Sequence, residues 1–143
     1  MKISTRGRYG LRALVELANC NADQCMSLRE IANRHGMSEN YLEQLFVPLK
    51  KAGLVVSVRG AQGGYKLNRP AETITAADII QVLEGSLSPA DCIEDANYEC
   101  PAATCDTCHV KTVWQKLYLG ITEILGTIRL SDLAAESLNP NAS

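Results

Sequence analysis

Ser27-Leu28-Arg29-Glu30-Ile31-Ala32-Asn33-Arg34-His35-Gly36-Met37-Ser38-Glu39-Asn40-Tyr41-Leu42-Glu43-Gln44-Leu45-Phe46-Val47-Pro48-Leu49 decides the fold of this chain. Ser27 and Glu30 have the spacing of a capping box, in which each side chain satisfies the other residue's free amide. Leu28, Ile31 and Ala32 then give a short apolar face. Gly36 suits the left-handed position that follows a helix C-terminus. Ser38 is a second N-cap, and Leu42, Leu45, Phe46 and Leu49 follow at i, i+3, i+4 and i+7. Two helices separated by a turn of about three residues containing Gly make a helix-turn-helix. Pro48 is expected to bend or end the second helix early. With the apolar set inward, Glu39, Asn40, Glu43, Gln44 and Val47 face out.

Working outward, Gly53 closes the segment. Leu54–Arg59 reads as a strand rich in Val, and Gly60-Ala61-Gln62-Gly63-Gly64 as a turn. Tyr65-Lys66-Leu67 returns as a short strand, so a hairpin directly follows the helix-turn-helix, in the position of a wing. Upstream, Leu11, Leu14, Val15, Leu17 and Ala18 mark a helix that starts near Thr5 and ends in Asn19–Gln24. Downstream, Thr75 caps a helix through Ile79, Ile80 and Leu83 that stops at Gly85.

At Ser86 the composition changes. From there to Cys108 the chain is polar, acidic and cysteine-rich, and loops of this length are uncommon unless functional or disordered. Val110, Val113, Trp114, Leu117, Tyr118, Ile121, Ile124, Leu125 and Ile128 then form one long helical stripe. Leu130, Leu133, Ala134 and Leu138 form a short last helix. The expected architecture is mainly α with a small β-hairpin wing. Residues 1–85 form a winged helix-turn-helix, 86–109 a cysteine-rich sensor loop, 110–138 a dimerisation helix and a short C-terminal helix, and 139–143 a flexible tail.

The 143 residues carry a net charge of −2, with 46% apolar and 21% charged residues. That balance excludes wholesale disorder. The charge is unevenly placed. Residues 1–70 hold eleven basic and five acidic residues, net +6, while 71–143 hold three and eleven, net −8. A basic half points to a polyanion, or else to docking on the acidic half. No apolar run approaches the length of a membrane span, and the first residues lack the apolar core of a signal peptide. A cytoplasmic protein is therefore expected, in which six cysteines serve as thiols or metal ligands rather than structural disulfides.

Three places carry chemistry. On the outer face of the second helix, Asn40 and Gln44 can pair with adenine, Glu43 can accept from cytosine, and Ser38 and Tyr41 lie beside them. An ordinary solvated face is the plain alternative. On the hairpin, Arg59 is placed to enter a minor groove with Gln62 at the tip. Lys2, Arg6, Arg8, Lys50, Lys51 and Lys66 are candidates for phosphate contacts. In the loop, Cys92, Cys100, Cys105 and Cys108, with His109 adjacent, suit an iron–sulfur cluster (2Fe–2S or 4Fe–4S), zinc, a regulatory disulfide or free thiols. Cys20 and Cys25 are expected to be small buried hydrophobes, and His35 to serve the C-terminus of its helix. The glycine turn lacks the Gly-Lys-Ser/Thr ending of a phosphate-binding loop, which excludes nucleotide hydrolysis.

Met1-Lys2-Ile3-Ser4-Thr5-Arg6-Gly7-Arg8-Tyr9-Gly10, Tyr41-Leu42-Glu43-Gln44-Leu45, Ala52-Gly53-Leu54-Val55, Arg59-Gly60-Ala61-Gln62-Gly63-Gly64-Tyr65, Ile74–Ile80 and Leu83-Glu84-Gly85 resemble the iron–sulfur cluster regulator (IscR) family. That family also includes the cysteine-metabolism and nitric-oxide-sensing repressors. The resemblance spans about residues 1–130. It implies a homodimeric winged-helix regulator of transcription on a pseudo-palindromic operator in double-stranded DNA. Glu43 and Gln44 would lie on the base-reading helix and Arg59 in the minor groove.

The loop departs from the family pattern of three cysteines and a variable fourth ligand. Positions 8 and 12, where a partner's ligand would stand, are both Arg. Cys92 and Cys100 match the first two family cysteines. The third is Cys108 counting back from Trp114, or Cys105 counting forward from Cys100. The resemblance therefore implies an all-cysteine set with His109 in reserve.

The resulting expectation is a repressor, not an enzyme, whose DNA binding follows a cluster or the redox state of the loop. A metal-free regulator governed by thiol oxidation, zinc or a protein partner in cysteine metabolism is the alternative. A thiol oxidoreductase lacks the βαβ surroundings of its CxxC. A protein-binding winged helix would not show salt-dependent binding to a duplex.

Overall fold

A computed structural model describes residues 2–101 and 107–141. Helix α1 (Thr5–Ala18) starts at Ser4, whose hydroxyl accepts the Arg6 amide, and it buries Ala13, Leu14 and Leu17. Helix α2 (Leu28–His35) starts on the expected capping box. Glu30 N donates to Ser27 Oγ, and Ser27 N to Glu30 Oε2, both at 3.2 Å. Gly36 ends α2 at φ 63°, in the left-handed region that favours glycine.

Helix α3 (Glu39–Lys51) starts at Ser38, which accepts the Tyr41 amide, and buries Leu42, Leu45, Phe46 and Leu49. Of the two effects expected of Pro48, a bend or an early end, the early end does not occur, and the helix runs on to Lys51. A mid-helix proline costs about 3 kcal/mol. Here Leu49 beyond it is fully buried and Ala52 N closes on Pro48 O at 3.0 Å, so tertiary burial offsets the lost bond.

Strands β1 (Val55–Val58) and β2 (Gly64–Leu67) pair antiparallel, Val55 opposite Leu67 and Val58 opposite Gly64. Met26 extends this hairpin. Its N–H donates to Tyr65 O at 2.9 Å and its carbonyl accepts Tyr65 N at 2.8 Å. A Cβ on Gly64 would stand 2.4 Å from Met26 O, so the approach requires glycine. Tyr65 also sets its ring edgewise on Phe46, 4.8 Å between centroids, which seats the hairpin on α3.

A 3-10 turn (Ala71–Thr73) leads to α4 (Ala76–Glu84), capped by Thr75 and Asp78. The short α5 (Asp91–Glu94) lies within the loop expected over 86–109. Helix α6 (Lys111–Thr127) is about 25 Å long and has no buried residue. The last helix, α7 (Leu130–Leu138), packs back on α1 and the 3-10 turn rather than continuing α6 outward. Ala76 N donates to Ile128 O and Leu130 N to Ile74 O, each at 2.8 Å, and Leu130 is fully buried in the core. Among the described residues, no helix is long and apolar enough to cross a membrane.

Candidate nucleic-acid interface and cysteine loop

The capping and burial that build α3 also orient its outer face. With Leu42, Leu45, Phe46 and Leu49 locked inside, Asn40, Glu43, Gln44 and Val47 stand exposed. Ser38 is exposed, its hydroxyl already used as the cap. Tyr41 is half-buried. Its hydroxyl donates to Thr5 Oγ1 at 3.2 Å and its ring meets Tyr9 edgewise, while the Arg12 guanidinium sits over Tyr9 at 5.8 Å. Tyr41 therefore ties α3 to α1.

On the hairpin Arg59 and Gln62 are exposed, and Gly60 at φ 116° makes the turn between them possible. Among the described residues Arg59, Arg8 and Lys2 have no ion-pair partner. No described side chain neutralises their charge by an ion pair, as an anion-binding surface needs. Two other expected phosphate contacts have internal ties. Arg6 Nε donates to Leu83 O at 3.4 Å, and Lys50 Nζ to Ser57 Oγ at 2.9 Å.

Three features had no clear signal in the sequence. Glu84, at the end of α4, accepts Ser4 N, Ser4 Oγ and Gly7 N on one carboxylate oxygen. Glu16 holds Arg34 at 2.8 Å and His35 Nε2 at 2.9 Å, so His35 serves an α1–α2 contact rather than only its own helix end. Cys25 is half-exposed and its thiol donates to the Gln62 carbonyl at 2.9 Å, joining the hairpin tip to the segment before α2. Cys20 is also half-exposed, and burial pushes its thiol above the ordinary range, with Arg34 opposing. The small-hydrophobe expectation holds in part for Cys20, which packs against the core, and fails for Cys25, whose thiol is taken up by the hairpin tip.

In the cysteine loop Cys92 and Cys100 are half-buried and Cys108 is exposed, and Cys105 lies outside the described residues. Among the described residues no three His, Cys, Asp or Glu side chains converge as a metal site would require.

Residues 3–136 match the model of Rrf2, described as an iron-dependent transcriptional regulator. The chain belongs to the Rrf2 family. Within it, the chain is 46% identical over 135 residues to the HTH-type transcriptional regulator CymR of Bacillus subtilis, covering 94% of this chain and 91% of that protein. The solved structure of CymR, described as the global cysteine regulator of B. subtilis, superposes with a TM-score of 0.76 at 44% identity, covering 94% of this chain and 97% of that one. IscR of T. potens superposes at 0.78 and 41% identity, over 100% and 93%. The Rrf2 relatives are transcriptional regulators, so this chain is a transcriptional regulator and not an enzyme. It shares their mainly helical fold with a two-strand wing.

Proposed function

We propose that this Rrf2 protein is a cytoplasmic, homodimeric, sequence-specific DNA-binding repressor. Helix α3 enters the major groove of each half of a pseudo-palindromic operator. Asn40, Glu43 and Gln44 read bases, and Arg59 enters the minor groove. Lys2, Arg8 and Lys51 meet phosphates, with Ser38 and Tyr41 at the border and Gln62 at the hairpin tip. One observation carries this reading: α3 buries Leu42, Leu45, Phe46 and Leu49 and exposes Asn40, Glu43 and Gln44, next to a hairpin whose Arg59 has no ion-pair partner among the described residues. Fluorescence anisotropy on a duplex selected from random DNA tests it. Affinity falls linearly with salt on a log–log scale if phosphates are contacted. Absent or salt-independent binding contradicts the reading.

The second copy is assigned to α6, whose Val113, Trp114, Leu117 and Ile124 are all exposed. An exposed apolar row of this length suits burial against its own symmetry mate. Sedimentation of the Leu117→Asp variant as a monomer, beside a dimeric parent, checks the assignment.

The loop 86–109 is the proposed sensor. The chemistry of the donor set fits an iron–sulfur cluster, with Cys92, Cys100, Cys105 and Cys108 as the ligands and His109 in reserve. Such a cluster supplies a redox- and iron-dependent change in loop charge and cross-linking. Zinc suits the same thiolates.

A second reading, a metal-free regulator that responds through its thiols or through a partner in cysteine metabolism, is favoured by two observations. Among the described residues no three potential ligands converge, and a relative 46% identical is named CymR. Absorption, iron and sulfide analysis of protein purified without oxygen separates the readings. Visible bands with bound iron and sulfide support the first, and a colourless, metal-free protein supports the second.

A further inference from the structure

We propose that Val47 is a base-reading residue that recognises the C5-methyl group of a thymine, an inference that rests on the DNA-binding reading of α3. Val47 is 62% exposed. Among the described residues up to Gly85, the other large apolar side chain that stands exposed is Val58, at 36%. The packing of the helix-turn-helix does not explain a valine at position 47, which belongs neither to the core nor to the side chains packed against it.

Local helix preference does not explain it either. A β-branched side chain loses rotamer freedom in a helix. The residue before a proline is sterically pushed away from helical dihedrals, and residue 48 is Pro. An exposed Lys, Glu or Gln would serve the helix better on both counts.

What distinguishes position 47 is its row. Residues 40, 43, 44 and 47 stand at i, i+3, i+4 and i+7, and all four are exposed. The first three are hydrogen-bonding side chains and the fourth is apolar. The major groove offers one apolar mark, the thymine methyl, among its donors and acceptors. Four residues along α3 from Glu43 is an axial rise of about 6 Å. Base pairs repeat every 3.4 Å, so the thymine lies within about two base pairs of the one Glu43 meets.

The test uses the full chain and a duplex that it selects from a random pool. Each thymine of a half-site is replaced in turn by deoxyuridine, which removes only the methyl group. The expected result is one thymine per half-site, within two base pairs of the position whose preference changes in Glu43→Ala, where uracil weakens binding about fourfold, the worth of burying one methyl group. The Val47→Ser variant binds the thymine duplex about fourfold more weakly and no longer distinguishes uracil there. Helical circular dichroism confirms that it is folded. Equal affinity of the wild-type protein for every uracil duplex overturns the proposal while leaving DNA binding intact. So does a Val47→Ser variant as sensitive to uracil as its parent. Failure to select or bind any duplex removes the function of α3 and this proposal together.

Discussion

The carboxylate of Glu84 accepts the amide of Gly7 at 2.9 Å, and the same oxygen takes the amide and hydroxyl of Ser4. The last residue of α4 is thereby an anion at the first turn of α1, where unpaired amides and the helix dipole favour negative charge. Glycine at 7 and 10 permits this approach. A Cβ on Gly7 would lie 2.5 Å from Glu84 Oε1, and one on Gly10 would lie 2.0 Å from Leu83 Cδ1. Gly→Ala inside a helix normally stabilises by roughly 1 kcal/mol. Gly10→Ala is expected to reverse that sign and cost about 1–3 kcal/mol through overpacking. Glu84→Ala is expected to cost about 2 kcal/mol, as charge-assisted hydrogen bonds are lost. Urea denaturation of both variants measures the two effects.

Leu130 opens α7, which packs on α1 and the 3-10 turn, and is fully buried in the core. Leu130→Ala should cost about 2–5 kcal/mol, as a core leucine does. If α7 were an appendage, its truncation would leave the denaturation midpoint unmoved.

Arg59 has no ion-pair partner among the described residues, so its replacement removes no internal contact. Arg59→Ala should leave thermal stability within about 0.5 kcal/mol of the parent. It should weaken binding to a selected duplex by about 1–3 kcal/mol. Anisotropy titration and a melting curve on the same preparation give the two values.

Burial raises the pKa of Cys20. A raised pKa keeps the thiol protonated, and only the thiolate alkylates. Below its own pKa, Cys20 is therefore expected to react with iodoacetamide more slowly than an ordinary exposed thiol, its rate rising at higher pH. Peptide mass spectrometry over a pH series, with a short cysteine-containing peptide added as the comparison, reads the order directly. Equal rates at every pH would contradict the burial effect.

The helix-turn-helix was legible because its punctuation is local. Ser27, Glu30, Gly36 and Ser38 each act within one turn of their own position, and the structure uses all four as the spacing implied. Family-specific runs such as Tyr41–Leu45 and Arg59–Tyr65 then carried the kind of protein. Pro48 misled because a propensity rule speaks only for the isolated helix, and Leu49 is held from outside it. Glu84, His35 and Cys25 were invisible for a related reason. Their partners lie 77, 19 and 37 residues away in sequence, and no periodicity encodes such a pairing. The loop was read as a unit of composition. Its ligand geometry depends on Cys105, outside the described residues, and on chemistry that spacing alone leaves open.

The two bonds that tie Ile128 and Leu130 to the start of α4 have an evolutionary consequence. The segment from Gly85 to Thr127 leaves one end of α4 and comes home at the other, about 14 Å away. It is a cassette clipped at both ends to a rod that the core already holds. Doubling the length of such an excursion costs only about 0.6 kcal/mol in closure entropy. Descendants of this chain can therefore exchange the whole excursion while the frame beneath keeps its shape.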